Sequence, residues 1–581
     1  MPTMDNDFRV SLHEAARGVW LHFERPHQII SATRLEEVLP ALREIERLVT
    51  ENGWYAAGFL SYEASPAFDS ALAVRAGRDF PLLWFGLYPE PRQTASLPPK
   101  TGEYHLGEWK PTVSRETYNA AIAQVKAAIA HGKTYQVNYT FRLKNRLTGS
   151  GWSLFVEMVN AQAEGYSAFV ETDSHVICSA SPELFFRLDG NTVTCRPMKG
   201  TVKRGRTLAD DNAQADWLRA SIKNRAENVM IVDMVRNDLG RLAEIGSVRV
   251  PELFTTERYR TLWQMTSSVT AEIRAPFVDL LTALFPCASI TGAPKVSTMQ
   301  IIAALETTPR GPYTGSIGYL APGRRAQFSV AIRTLVFERA SGLAEYGVGG
   351  GIVWDSTSKD EYAEALLKAQ VLTKSHPEFS LLETLRWTPN EGFFLLDEHL
   401  ARLSDSAAYF SFPYDRARIE TYLADAAKTL AASPQRVRLL LDREGALTHQ
   451  VSPLPETQAQ SLRVKLAKEP VNSSEVFLYH KTTYRGAYEK ARQNQPDCDD
   501  ALLFNERGEL TESTIANLVV ELDGELVTPP VSCGLLGGTF RAYLLEQGKI
   551  QEKIIDQEDL ARCTQIFLVN SVRGWQKARI V

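Results

Sequence analysis

The sequence predicts a mixed α/β protein of the α+β type, divided into more than one domain, and three observations lead there. Its 581 residues exceed what one ordinary domain holds. A hydrophobic share of 44% beside 23% charged residues supplies large cores and a globular surface. Strand-like and helix-like stretches alternate irregularly to about residue 375, and a fresh set of strands then begins at "FSLLETLRW".

Residues 1 to about 110 mix short strands with proline-rich turns, the last being "LYPEPRQTASLPPKTGEY". A helix follows in "SRETYNAAIAQVKAAIAHG", with Ser114 as N-cap, Glu116 in the first turn and Gly132 closing it. "NRAENVMIVDMVRNDLGRL" reads as a second helix. Another should start near Pro294, since proline is favoured in a first helical turn. "SKDEYAEALLKAQVLTK" opens with a Ser358-x-x-Glu361 capping-box pattern and ends before His376-Pro377, which marks the main boundary. The expected domains are therefore 1–110, 111–375 and 376–581.

The bulk chemistry narrows the partners. A net charge of −5 leaves no basic excess to neutralise phosphates, so no nucleic acid is expected. Cys178, Cys195, Cys287, Cys498, Cys533 and Cys563 form no CxxC pair, which fits a reducing compartment without structural zinc. "MPTMDNDFRV" lacks a basic region followed by an apolar run, and no run approaches the ~18 apolar residues of a membrane span. A cytoplasmic protein with no membrane contact is expected.

Several residues carry chemistry. In "CRPMKGTVKRG", Lys199 stands at the end of a strand-like run, where a turn needs no amine. The helix N-terminus after Thr291-Gly292 and the row Gly349, Gly350, Gly351 can present backbone N–H groups to an anion; each also reads as a tight turn. Arg333, in "SVAIRTLVF", has the fork for a carboxylate. Glu227 lies on one helix, and Glu361 and Glu364 lie one turn apart on another, so converging carboxylates would suit Mg2+. Glu361 is equally placed to cap its helix, and Glu364 to pair with Lys368.

"SASPELFF", "RPMKGT", "NRAENVMIVDMVRNDLGR", "SITGAPK", "GSIGYL", "AIRTL" and "GGGIVWDS…EYAEALLKA" together resemble the chorismate-utilising enzymes over roughly residues 115 to 372. The resemblance implies two large, mostly antiparallel sheets sandwiched together with helices outside. It implies Mg2+ held by Glu227 and Glu364 with Glu361 close by. Substrate carboxylates would fall to Arg333, Tyr319, Thr291, Gly349 and Gly351, with Thr201 beside them. Members that add water carry lysine where this chain has Gln136, which cannot act as a base, so hydration is disfavoured. Lysine in the PxxGT motif resembles the aminodeoxychorismate synthase branch; anthranilate synthases carry alanine there. A neutral Lys199 can attack ring carbon C2 as the C4 hydroxyl leaves, protonated by Glu183, and ammonia then enters at C4. Many members carry histidine where this chain has Gln264, in "LWQMTSSVTA"; glutamine keeps the hydrogen bonding without the proton chemistry.

In the last 205 residues, Lys481 reads as a strand end, followed by a helix. Glu512 precedes a strand pair, and "GLLGGTFRAYLL" turns into a helix suited to phosphate. "HKTTYR" and "TESTIANLVV", with "LLDEHLARL" and "FLVNSVRG", resemble fold type IV pyridoxal phosphate enzymes, specifically 4-amino-4-deoxychorismate lyases, over about residues 379 to 581. By that resemblance Lys481 holds pyridoxal 5'-phosphate and moves protons, and Glu512 keeps its ring nitrogen protonated. Arg402, Gly538 and Thr539 hold its phosphate, with Asn570-Ser571 nearby. The implied whole is a bifunctional enzyme making 4-aminobenzoate from chorismate. No G-x-C-x-G elbow is present, so ammonia would come from a glutamine amidotransferase subunit; a homodimer through the last domain is also implied. The alternative is an anthranilate synthase component I fused to an aminotransferase-like or non-catalytic domain.

Overall fold

A computed structural model describes residues 10–77, 80–162, 165–372, 377–454 and 460–581. The chain parts into two compact units, Met1–Lys203 with Ala215–His376, and Arg204–Gln214 with Pro377–Val581. The boundary expected at residues 375 and 376, and the N-terminal stretch through residue 9, lie outside the described residues.

In the first unit the described residues build an 11-stranded and a 10-stranded sheet, in which every strand pairing is antiparallel. The N-terminal segment is woven into both. Val10–Glu14 and Val19–Phe23 extend the larger sheet; Gln28–Ala32, Tyr55–Leu60 and Leu83–Tyr88 extend the other. The inner faces share one core, in which Val10, Leu12, Val170 and Ile177 meet Phe59, Trp84 and Ile317. This is a sandwich, and burial of those apolar faces is what joins the sheets.

Helices cover the outer faces. Leu35–Asn52, Ile222–Gly240 and Phe277–Leu284 pack on the smaller sheet. Arg115–Ala130 and Gly151–Gln162 pack on the larger one. Ser114 caps its helix as expected, accepting from Thr117 N. The cap of helix Ser358–Lys368 falls one residue before the pattern: Thr357 accepts from Asp360 N. Glu361 instead accepts from Ser356 Oγ at 2.6 Å, which turns its carboxylate away from a capping role. The glycine row forms no turn. It lies within the strand Leu343–Ile352, paired over ten residues with Gln136–Gly149.

The second unit has a 4-stranded sheet ordered Gly392–Phe393, Leu381–Thr388, Gln435–Leu441, Leu447–Pro453. Helices Leu396–Phe410 and Arg416–Ala427 close its apolar face through Leu385, Leu403, Leu423, Val437 and Leu439. An 8-stranded mixed sheet forms the rest. Lys481 does not end a strand: a short 3-10 turn, Val476–Leu478, precedes it, and its carbonyl accepts from Leu382 N. No helix among the described residues is long and apolar enough to cross a membrane. The six cysteines are all free thiols.

Candidate functional site

Each unit holds a polar cavity with a half-buried lysine in its wall. In the first unit the cavity measures about 460 Å3. The strand Met198–Lys203 brings Lys199, Gly200 and Thr201 to its wall; the helix Ile222–Gly240 brings Glu227; the helix Ser358–Lys368 brings Glu361, Glu364 and Lys368. Glu183, Arg333, Gly349 and Gly351 also line it.

Lys199 makes no hydrogen bond or ion pair among the described residues, and burial lowers its pKa against the pull of Glu227 and Glu183. Burial likewise pushes the Glu183 carboxyl up to about 7, opposed by Ser289 and Lys199, and its Oε1 has no hydrogen-bond partner. An amine whose burial favours its neutral form and a carboxyl whose burial favours its protonated form therefore share the cavity. Gly351 makes room for them. A β-carbon there would lie 2.6 Å from Gln136 Nε2 and 3.1 Å from Lys199 Nζ. The Gln136 amide is buried with both polar atoms unpartnered.

The carboxylates differ among themselves. Glu364 pairs with Lys368 Nζ at 2.9 Å, which holds its pKa down, and the same Nζ donates to Gly349 O at 2.9 Å. Desolvation raises Glu227 and Glu361. The described residues contain no preformed cluster of three or more metal-type side chains. Three hard oxygen donors spread along one cavity wall suit a cation that keeps its waters, as Mg2+ does, rather than a closed cage.

Gln264 holds the neighbours of Lys199. Its Nε2 donates to Gly200 O at 2.8 Å, and its Oε1 accepts from Thr201 Oγ1 at 3.0 Å. Both polar ends serve positioning, which glutamine does as well as a neutral imidazole. Arg333 falls between two strands, with φ at 51°, a region costly for arginine. Its Nη1 donates to Gln162 Oε1, and its guanidinium lies 5.8 Å from the Tyr259 ring.

Two expected residues and one expected helix end lie elsewhere. Tyr319 points into the inter-sheet core beside Phe23, and its hydroxyl donates to Glu14 Oε1 at 3.0 Å. Thr291 is buried outside the lining, its Oγ1 donating to the carbonyls of Cys287 and Ala288. The helix after Pro294 starts where expected, at Lys295–Leu305, but its first turn does not line the cavity. Tyr313 takes the place expected of Tyr319. Its ring lies flat on Gly347, where a β-carbon would come within 2.2 Å, and it forms part of the wall with Asn138, Lys223 and Tyr346. The only sequence signal for it is an aromatic residue inside the turn "GPYTG".

The second cavity, about 410 Å3, gathers Lys481, Glu512, Arg402, Gly538, Thr539, Asn570 and Ser571. Burial lowers Lys481 to about 8, helped by Arg402, and its amine has no hydrogen-bond partner among the described residues. Burial raises Glu512 to about 7; its oxygens accept from Tyr488 OH at 2.8 Å, Leu536 N at 3.0 Å and Asn517 Nδ2 at 3.1 Å. Arg402 donates to Glu383 at 2.9 and 2.7 Å, and the buried His399 joins Glu383 to Ser571. A β-carbon at Gly538 would lie 1.9 Å from Asn517 Oδ1, so the backbone before the helix Thr539–Glu546 stays bare. A free amine, a buried carboxylate and a bare helix start beside an arginine fit pyridoxal phosphate. The sequence missed Arg436, Arg438, Arg485 and Arg573, which line this cavity too.

Comparison with known proteins agrees with this division. Residues 9–374 match the family of chorismate binding enzymes, and residues 380–581 match amino-transferase class IV. Aminodeoxychorismate synthase component 1 of Escherichia coli K12 is 40% identical over 269 residues, covering 46% of this chain and 59% of that protein. Anthranilate synthase component 1 of Methanothermobacter thermautotrophicus is 32% identical over 343 residues, covering 55% of this chain and 73% of that protein. The chain thus spans less than two thirds of the length of the synthase relatives it matches at about 40% identity. The crystal structure of anthranilate synthase component I from Streptococcus pneumoniae shares the fold, with a TM-score of 0.53, 22% identity, and 64% of this chain and 93% of that chain covered.

Proposed function

The chain belongs to the family of chorismate binding enzymes, and from that premise we propose that it makes 4-aminobenzoate in two steps, one in each unit. In the first, chorismate and ammonia become 4-amino-4-deoxychorismate. In the second, that product loses pyruvate and its ring becomes aromatic.

The observation that carries the first step is the pairing of a deprotonation-prone Lys199 with a proton-holding Glu183 in one enclosed cavity. Lys199 Nζ forms a bond to ring carbon C2. Both ring double bonds shift, C1=C2 to C1=C6 and C5=C6 to C4=C5, and the C4 hydroxyl departs as water with a proton from Glu183. Ammonia then bonds to C4, both double bonds return, and the C2–Nζ bond breaks. Lys199 leaves with its bonding pair, and the surplus ammonium proton passes to a base. The hydroxyl is thereby replaced at its own carbon. Arg333 and the Gly349–Gly351 backbone hold the substrate carboxylates; Gln264 fixes the strand that carries the nucleophile. Glu227, Glu361 and Glu364 would hold Mg2+, which offsets carboxylate charge near the reacting ring. Ammonia comes from a separate glutamine amidotransferase.

For the second step, Lys481, Glu512, Arg402, Gly538 and Thr539 would hold pyridoxal phosphate, which when bound supplies an electron sink. Lys481, lowered to about 8, takes and returns protons near neutral pH. Glu512 would bond its ring nitrogen, and Arg402, locked by Glu383, would hold its phosphate.

The test is product identity. The purified chain is incubated with chorismate, Mg2+ and ammonium, with and without pyridoxal phosphate. Expected are 4-amino-4-deoxychorismate without the cofactor and 4-aminobenzoate with it. Anthranilate, the ortho isomer, would overturn the reading of the first unit. Accumulated 4-amino-4-deoxychorismate in the presence of cofactor would overturn that of the second.

A further inference from the structure

The second cavity carries more positive charge than a phosphate needs. Arg402 is already neutralised by Glu383. Beyond it, Arg436, Arg438, Arg485 and Arg573 line the wall, and Glu512 is the one carboxylate among the lining residues.

The sheet explains where two of these come from. Along the strand Gln435–Leu441 side chains alternate, so Val437, Leu439 and Leu441 face the apolar core while Arg436 and Arg438 face the other way. The cross-strand partners on that second face are neutral for Arg438, namely Thr384 and Gln450, and for Arg436 they are Ser452 and another arginine, Arg386. Like charges directly opposite destabilise a sheet. Arg436 Nε finds only Ser452 Oγ, at 3.0 Å. Arg438 has no hydrogen bond or ion pair among the described residues, and its Nε is fully buried without a partner. A buried guanidinium N–H is ordinarily hydrogen-bonded, because an unpaired one forfeits its hydration without return. A face that accepts both penalties is built for an anion that arrives with the substrate.

We infer that Arg438, supported by Arg436, is a specificity-determining residue that binds a second carboxylate of the substrate, so that this unit selects dicarboxylates over amino acids with one carboxylate. The inference rests on the two-step reading. The product of the first unit carries a ring carboxylate and an enolpyruvyl carboxylate, whereas a simple amino acid offers one. The guanidinium fork supplies two parallel N–H donors to such a group.

The experiment uses the full chain with bound pyridoxal phosphate and compares wild type with Arg438→Gln and Arg436→Gln. Charged hydrogen bonds of this kind carry about tenfold or more in affinity. Expected for Arg438→Gln is therefore a KM for 4-amino-4-deoxychorismate raised about tenfold or more, with kcat, cofactor retention and the cofactor's absorbance band unchanged. The rate at which alanine converts the bound cofactor to its amine form should not change. For Arg436→Gln thermal stability should hold or rise, because repulsion between Arg436 and the cross-strand Arg386 is relieved. An unaltered KM, or an equal loss with alanine, overturns the inference. A second arm separates it from the two-step reading. If wild type does not form 4-aminobenzoate, that reading fails, and adipate and hexanoate are titrated against the cofactor's absorbance band instead. Tighter binding of adipate, lost in Arg438→Gln, sustains the dicarboxylate site; equal binding of the two acids, or a preference that survives the substitution, overturns it.

Discussion

The two cavities share a plan and differ in charge. Each sets a half-buried lysine with a lowered pKa near a carboxyl raised to about 7 by desolvation. Around Lys199 stand Glu227, Glu361 and Glu364, answered by Lys223, Arg333 and Lys368. Around Lys481 stand five arginines and Glu512 alone. Burial readies both amines, and the surrounding sign decides what each cavity can hold. Interspersed carboxylates suit a hydrated divalent cation beside an anionic substrate, while a cationic wall suits a phosphate-bearing cofactor and further carboxylates.

That contrast can be broken most sharply at Lys199. Lys199→Ala should cut amination of chorismate by on the order of 10⁴-fold or more, the scale of losing a nucleophile, while the absorbance of cofactor bound in the other cavity is unchanged. Residual rates near wild type, measured by product chromatography, would erase the distinction between the two lysines.

Glu183→Gln comes next. Loss of a general acid costs about 10²–10⁴-fold. The wild-type rate should also fall as pH rises through about 7, where Glu183 loses its proton. The substitution should remove that alkaline limb, as a pH–rate profile would show.

Gly351→Ala sharpens the comparison by geometry alone. The added methyl would meet Gln136 and Lys199, and misplacement by about 1 Å costs about 10²-fold in rate. The loss should appear in kcat for amination, with lyase turnover intact. The smallest effect belongs to Tyr319→Phe. Its hydroxyl bonds Glu14 outside the cavity, so melting should register a loss of about 1 kcal/mol with kcat/KM unchanged.

Contiguous motifs made much of both sites legible. Lys199, Glu183, Lys481 and Glu512 lie in short segments whose order resembles known families, and all four face a cavity. Side-chain direction was the harder part. Tyr319 lies in the strand Ser316–Ala321 with its ring aimed at the other sheet, while Tyr313, in the turn just before, reaches the cavity. Nothing in local spacing separates those two tyrosines. The glycine row reads as a turn because glycine breaks isolated strands; here a long partner strand holds it extended, and the missing β-carbons serve close approach. Arg436 and Arg438 carry no such signal, since alternation along a strand does not tell solvent from a cavity.

The central claim is that Lys199 bonds to the substrate ring. Intact-protein and peptide mass spectrometry of the chain mixed with chorismate and Mg2+, without ammonia, tests it most directly. A mass gain equal to chorismate less one water is predicted, confined to the peptide containing Lys199, absent from Lys199→Ala and discharged by ammonium. Amination at the wild-type rate with no such adduct, or with the adduct on another residue, would contradict the account.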